Sequence, residues 1–136
     1  MWMIHDRITD ETYGMAGVWQ PAGWPTAELA WIIWPKVAGR GIALEATHAV
    51  RDYAYQTLNW DTAVSYLDPK NLEAIRLAER LGCTKDADAP SVDDHDVVYR
   101  HPTPDALNNS QLRHGIEMEI DHYRDPEFTP KGWALD

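Results

Sequence analysis

One stretch constrains this chain more than any other: Glu28–Ala46, reading Glu-Leu-Ala-Trp-Ile-Ile-Trp-Pro-Lys-Val-Ala-Gly-Arg-Gly-Ile-Ala-Leu-Glu-Ala. Leu29 to Trp34 is an unbroken apolar and aromatic run, which predicts a buried strand. Pro35 removes a ladder donor and stops it. A short loop then carries Gly39 and Gly41. Beyond it, Ala43, Ala46, Val50, Ala54 and Leu58 fall on one helical stripe. A strand that passes through glycines into a helix N-terminus makes an anion site. The first helical N–H groups have no internal partner, and the helix dipole adds positive potential there. Glycines let a phosphate approach the backbone. The expectation is a cradle for the pyrophosphate of a cofactor.

Two common phosphate loops are excluded. A dinucleotide fingerprint would place a third glycine where Leu44 stands, and no Gly-Lys-Ser/Thr ends the loop as in a P-loop. A lone Gly-x-Gly is often a plain turn, so the segment that follows decides. Thr62–Cys83 reads as a strand (Ala63–Leu67), a turn (Asp68-Pro69-Lys70-Asn71) and a helix (Leu72–Leu81) closed by Gly82. The link from the central strand through the first helix to this strand is a right-handed parallel unit.

The ordered set resembles the GNAT superfamily of acetyl-CoA-dependent N-acetyltransferases, in the branch of the RimJ and RimL protein acetylases. The residues that carry it are Glu28 with its strand, Lys36-Val-Ala-Gly-Arg-Gly41 with Leu44-Glu-Ala46, and Asp68-Pro-Lys-Asn71 with Ala78-Glu-Arg-Leu-Gly-Cys83. It covers about residues 2–101. The resemblance implies an α/β (α+β) fold of the GNAT acyltransferase type: a mixed, mostly antiparallel sheet that splays between its two central strands, with flanking helices. It implies acetyl-CoA as cosubstrate and no metal. The pyrophosphate would lie on the loop of Lys36, Val37, Ala38, Gly39, Arg40 and Gly41 and on the helix start at Ile42. A backbone N–H near Ile33 and Trp34 would polarise the thioester carbonyl, and Asn71 would touch pantetheine as well as capping its helix. The family pattern opens this loop with Gln or Arg. Lys36 keeps the cation and loses the planar fork.

The implied reaction is direct attack by a primary amine, either a protein N-terminus or a small molecule. An ammonium cannot attack a thioester, and a free α-amine of pKa ~8 is only about one-tenth neutral at pH 7. The family places a glutamate at the start of the central strand, so Glu28 is the expected base or holder of the water that acts as one; its rival role is a plain strand end. The usual donors to the leaving thiolate correspond to Ala74 and Ala78, which have no proton to give. Tyr66, Tyr99 or water is left for that task, with Tyr66 the expected residue. The rival readings are a non-catalytic acetyl-CoA-binding or regulatory module, and an interaction subunit without a ligand.

Composition sets the remaining bounds. With 136 residues the chain is one domain, and its net charge of −10 argues against nucleic acid as a partner while suiting a cationic amine. No metal-binding histidine spacing is present, and the single cysteine, Cys83, reads as packing. There is no signal peptide or apolar run of membrane length, so the expectation is a cytoplasmic protein without membrane contact. Trp2–Arg7 and Tyr13–Trp19 predict paired strands, Gln20–Thr26 a loop, Lys85–Asp96 an exposed acidic segment and Val97–Arg100 a last antiparallel strand near the sheet edge. Residues 1–104 form the expected acetyltransferase domain. Residues 105–136 form a tail in which Ser110 caps a helix over Gln111–Tyr123, with extended or disordered chain from Asp125 on. The resemblance also implies a first strand and one or two helices ahead of Trp2. Their absence from the sequence as given means a fragment, a displaced start, or replacement by a partner or by the tail. Exposed apolar surface and a homodimer are expected in consequence.

Overall fold

The ladder that pairs Trp2 with Ala16, Gly14 with Ile33 and Val64 with Arg100 ties six strands into one sheet. This computed structural model describes residues 1–20, 22, 26–37, 39–91 and 93–123. In chain order the elements are β1 (Trp2–His5), β2 (Thr12–Trp19), β3 (Glu28–Ile33), a short 3-10 turn (Pro35–Val37), α1 (Ile42–Gln56), β4 (Val64–Leu67), α2 (Leu72–Arg80), β5 (Thr84–Lys85), β6 (Val97–Arg100), α3 (Pro104–Asn109) and α4 (Leu112–Tyr123). The strand order is β1-β2-β3-β4-β6-β5. Every neighbouring pair is antiparallel except β3 and β4. This is the mixed, mostly antiparallel sheet with flanking helices that the sequence implied. Residues 124–136, which hold the extended segment expected from Asp125, lie outside the described residues.

Side chains alternate across a strand, so each face can be read from the register. Ala16, Val18, Leu29 and Trp31 share one face and pack against Ala46 and Val50 of α1. Ala63, Leu67 and Tyr99 continue that face under Ala74, Leu77, Ala78 and Leu81 of α2, Leu107 of α3, and Ile116 and Ile120 of α4. The four helices therefore cover one side of the sheet. On the other side Met3, Trp19 and Ile32 are exposed, at 48%, 45% and 56%.

The buried side of α1 differs from the expected stripe. Val50 and Ala54 are buried, but Leu58 lies beyond the helix and is exposed. The inward face is Leu44, Thr47, His48, Arg51, Ala54 and Tyr55, so polar groups enter the core. α3 was not anticipated: Pro104 stands at its first turn, where a missing N–H costs nothing, and the Thr103 hydroxyl accepts from the Ala106 N–H. The Ser110 hydroxyl accepts from the Leu112 N–H at the start of α4, as expected of a cap.

Candidate active site

The pairing of β3 with β4 lasts for one register position, Glu28 opposite Val64. The Val64 N–H donates to the Ala27 carbonyl at 3.2 Å. In a parallel ladder the next rung would run from the Tyr66 N–H to the Leu29 carbonyl. That rung is missing, and side chains satisfy both freed groups. The Tyr66 N–H donates to Glu28 Oε2 at a long 3.4 Å, and the Ser65 hydroxyl donates to the Leu29 carbonyl at 2.6 Å. A splay between the two central strands is thus present, and it opens into a cleft.

The cleft has a volume of about 320 Å³. Glu28, Ile33 and Tyr66 line it from the strands, and Gly39, Gly41 and Ile42 line it from the loop and helix start. Val37 and Asn71 also reach it. Trp34, Lys36 and Arg40 are directed elsewhere. The Trp34 N–H donates to the Tyr13 carbonyl at 2.8 Å, Lys36 Nζ pairs with Glu11 at 2.6 Å, and the Arg40 guanidinium sits 5.1 Å from the centre of the Tyr13 ring. Ladder bonds alternate sides along an antiparallel strand, so the Ile33 N–H faces the splay while that of Trp34 faces β2. Ala38 lies outside the described residues.

Glu28 is the chemically unusual group. It is 6% exposed, and Oε1 accepts from the Trp19 indole N–H at 2.7 Å. Burial pushes its carboxyl above the ordinary value; the bonds from Trp19 and the Tyr66 N–H oppose this, and the charge of Asp96 adds to it. Burial likewise raises the Tyr66 phenol, with a contact to Thr26 opposing. At neutral pH that hydroxyl keeps its proton.

The loop end of the cleft suits a phosphate. Gly39 and Gly41 have φ of 81° and 74°, in the region that favours glycine. Gly41 is the N-cap of the 15-residue α1 and supplies no side-chain cap, which leaves the first helical N–H groups for another partner. Asn71 caps α2, its side chain accepting from the Ala74 N–H at 3.2 Å. Ala74 and Ala78 are buried in the core and offer no proton.

Sequence reasoning missed Ser65, His101 and Arg51, which form a buried polar chain behind the splay. A signal existed: Arg51 lies three to four residues from Leu44, Thr47, His48, Ala54 and Tyr55 in successive steps, so the inward stripe contains a cation. His101 is a core histidine, one of the readings open to it. Among the described residues no group of His, Cys, Asp or Glu could hold a metal, and no helix is long and apolar enough to cross a membrane.

Comparison with known proteins identifies the family and the fold. A family profile described as an acetyltransferase (GNAT) domain matches residues 1–84. The chain is 42% identical to an acetyltransferase of Agrobacterium tumefaciens whose structure superposes with a TM-score of 0.66, over 69% of this chain and 55% of that one. It is 29% identical to the uncharacterized protein YkkB of Bacillus subtilis over 84 residues, 60% of this chain and 49% of YkkB. It is 25% identical to the uncharacterized N-acetyltransferase YnaD of Bacillus subtilis over 61 residues, 45% of this chain and 36% of YnaD. The chain spans half or less of the length of these two curated relatives.

Proposed function

The chain belongs to the GNAT acetyltransferase family, and from that premise we propose that its cleft moves an acetyl group from acetyl-CoA to a primary amine. The observation that carries the reading is the splay itself: a single cleft joins a buried carboxylate, Glu28, to an uncapped helix N-terminus at Gly41. The pyrophosphate lies on the N–H groups of Gly39, Gly41 and Ile42, at a helix start with no side-chain cap. Lys36 and Arg40 contribute charge from the loop, and their pairing with Glu11 and Tyr13 leaves contact with phosphate to a rearrangement on binding. The Ile33 N–H faces the position for the thioester carbonyl. When bound, acetyl-CoA supplies the activated acyl group.

Glu28 removes the proton from the acceptor ammonium, directly or through one water. A base of raised pKa suits this, because efficiency is greatest when the base titrates near the working pH. Tyr66 returns a proton to the leaving thiolate in place of the donors that Ala74 and Ala78 cannot be. Its raised pKa keeps it a donor. Glu28, Asp68 and Glu73 line the cleft against one cation, Arg76, and this net acidic lining raises the local concentration of a cationic acceptor. The motif order supports the branch resembling RimJ and RimL, with a protein N-terminus or small-molecule amine as acceptor.

The two buried alanines favour one rival reading, a module that binds acetyl-CoA without turnover. Release of free CoA thiol over a panel of peptide N-termini, polyamines and other primary amines decides between them: binding with no release from any amine supports the rival. A second arm tests the cradle. Pantetheine lacks the pyrophosphate, so it should bind at least about tenfold more weakly than CoA, and equal affinity for the two would remove the cradle.

A further inference from the structure

The cleft opens where the β3–β4 ladder stops after one register position, and there the Ser65 hydroxyl, at the end of a buried chain of side chains, bonds the Leu29 carbonyl that the next rung would use. We infer that Ser65, held by His101 and Arg51, is the positioning residue that keeps the splay open and leaves the Tyr66 N–H to Glu28. The inference rests on the proposed role of Glu28 as the base, and adds what places it.

The bond directions follow from the donors available. Arg51 is completely buried on α1, and its Nη1 donates to the Leu81 carbonyl at 2.7 Å and faces His101 Nδ1 at 3.2 Å. A guanidinium can only donate, so Nδ1 accepts and the imidazole proton lies on Nε2. Burial, with the Arg51 charge beside it, lowers the His101 pKa to about 3, which keeps the ring neutral. Nε2 lies 2.9 Å from Ser65 Oγ and donates to it. The Ser65 proton has one remaining use, and it goes to the Leu29 carbonyl at 2.6 Å. Cys83 Sγ packs 3.2 Å from Nδ1 and closes the site. Among the described residues Arg51 Nε and Nη2 have no hydrogen-bond partner, so the cation is held in the core at a cost that bulk packing does not require.

The consequence lies on the other face of the strand pair. The Ser65 hydroxyl takes the Leu29 carbonyl as its acceptor, and the Tyr66 N–H bonds Glu28 Oε2 instead of completing the rung. The groups around Glu28 are then the Trp19 indole from β2, the Tyr66 N–H from β4 and the charge of Asp96 just before β6. Without the Ser65 hydroxyl, the Tyr66 N–H and the Leu29 carbonyl are left as natural partners. They pair, the cleft narrows at its base, and Glu28 loses a bond that stabilises its charged form.

The test reads the Tyr66 amide by nitrogen–proton NMR across a pH titration of Ser65→Ala and wild type. In wild type this amide should follow ionisation of Glu28; in Ser65→Ala it should stop doing so, and Ser65→Thr, which restores the hydroxyl, should bring the dependence back. A Tyr66 amide that still follows Glu28 in Ser65→Ala overturns the inference. If Ser65→Ala does not fold, Ser65→Cys keeps the size with a weaker donor and should show the same loss. In the thiol-release assay Ser65→Ala should lower kcat by at least about tenfold, with the KM for acetyl-CoA within about twofold, because the phosphate cradle lies elsewhere. An unchanged kcat also overturns it. Wild-type protein that releases no thiol from any amine counts against the proposed reaction alone, since the amide titration needs no turnover.

Discussion

A carboxylate buried to the extent of Glu28 is costly to charge, and two donors reduce that cost. Burial raises its pKa above the ordinary glutamate value of 4.5, while the Trp19 and Tyr66 donors pull back. In its proposed role as base it works only when ionised, so the acid limb of kcat/KM should lie above the ordinary carboxylate range. Glu28→Gln should remove that limb and lower kcat by about 10²-fold or more, with little change in the KM for acetyl-CoA. The deficit should shrink as pH rises and more of the amine is already neutral. A pH–rate profile of both proteins checks this, and wild-type turnover in Glu28→Gln at pH 7 would reduce the residue to a structural one. Glu28 and Gly41 were legible in the sequence because each belongs to an ordered motif. Ser65, His101 and Arg51 were not, because they come from β4, the end of β6 and α1 and meet only when the sheet and helix pack. Gly41 itself has a second reason to be glycine: a Cβ there would stand 2.2 Å from the Tyr123 ring. A valine at that position would disturb the packing of α4 before any ligand arrived, which makes the comparison of CoA with pantetheine the cleaner probe of the cradle.

At the scale of elements, α4 lies against α1 through charge as well as apolar burial. Arg113 makes a bidentate pair with Asp52, with Nη2 to Oδ1 at 2.7 Å and Nη1 to Oδ2 at 2.9 Å. Beside it His48 sits between Asp52 and Glu117, at 3.7 Å and 3.6 Å. Burial works to raise the Asp52 carboxyl, but Arg113 and His48 outweigh it and hold it below the ordinary aspartate value of 3.8. A depressed carboxyl contributes stability above its unfolded pKa, and the contribution is lost as pH falls through the folded one. Burial depresses His48 below 6.5, so folding is also weakened as pH falls beneath that value, and the Asp52 charge softens the loss. Asp52→Asn should therefore destabilise by about 1 kcal/mol, the upper end for a partly exposed pair of good geometry. The deficit should be largest between those two pH values and shrink below 3.8. Urea melts of the two proteins at several pH values check it; a deficit that does not depend on pH would mean that shape, not charge, seats α4. The helix over Gln111–Tyr123 was readable from its serine cap. α3 was not, because Pro102 and Pro104 read as the end of a strand, whereas Pro104 also opens a helix. β5 was missed because two residues carry no period.

For the whole molecule, the unequal dressing of the sheet is the main physical fact. The four helices pack on one face, whereas Met3, Trp19 and Ile32 stand exposed on the other. Met1 and Trp2 add apolar surface at the β1 edge, where among the described residues the strand's outer hydrogen-bonding groups have no neighbouring strand. Scattered exposed apolar residues are ordinary, but Met3, Met15 and Ile32 stand opposite one another across three adjacent strands, and such a row beside an open edge is a surface that water solvates poorly. Glu28 belongs to this same face, covered by Trp19, so whatever packs there also bounds the acceptor side of the cleft. The charge of −10 opposes close approach of two copies, and screening by salt relieves that repulsion while leaving the apolar contact intact. The expected behaviour of this chain is then self-association that strengthens with ionic strength, and thiol release that rises with protein concentration as the acceptor side becomes enclosed. Light scattering and specific activity measured over the same dilution series, at low and moderate salt, check both. Association that weakens with salt would show that charge, not the open face, holds the copies together. A stable monomer with kcat in the ordinary range of about 1–10³ s⁻¹ would show that the cleft is complete without a cover, and that the helices on the far side are enough to support it.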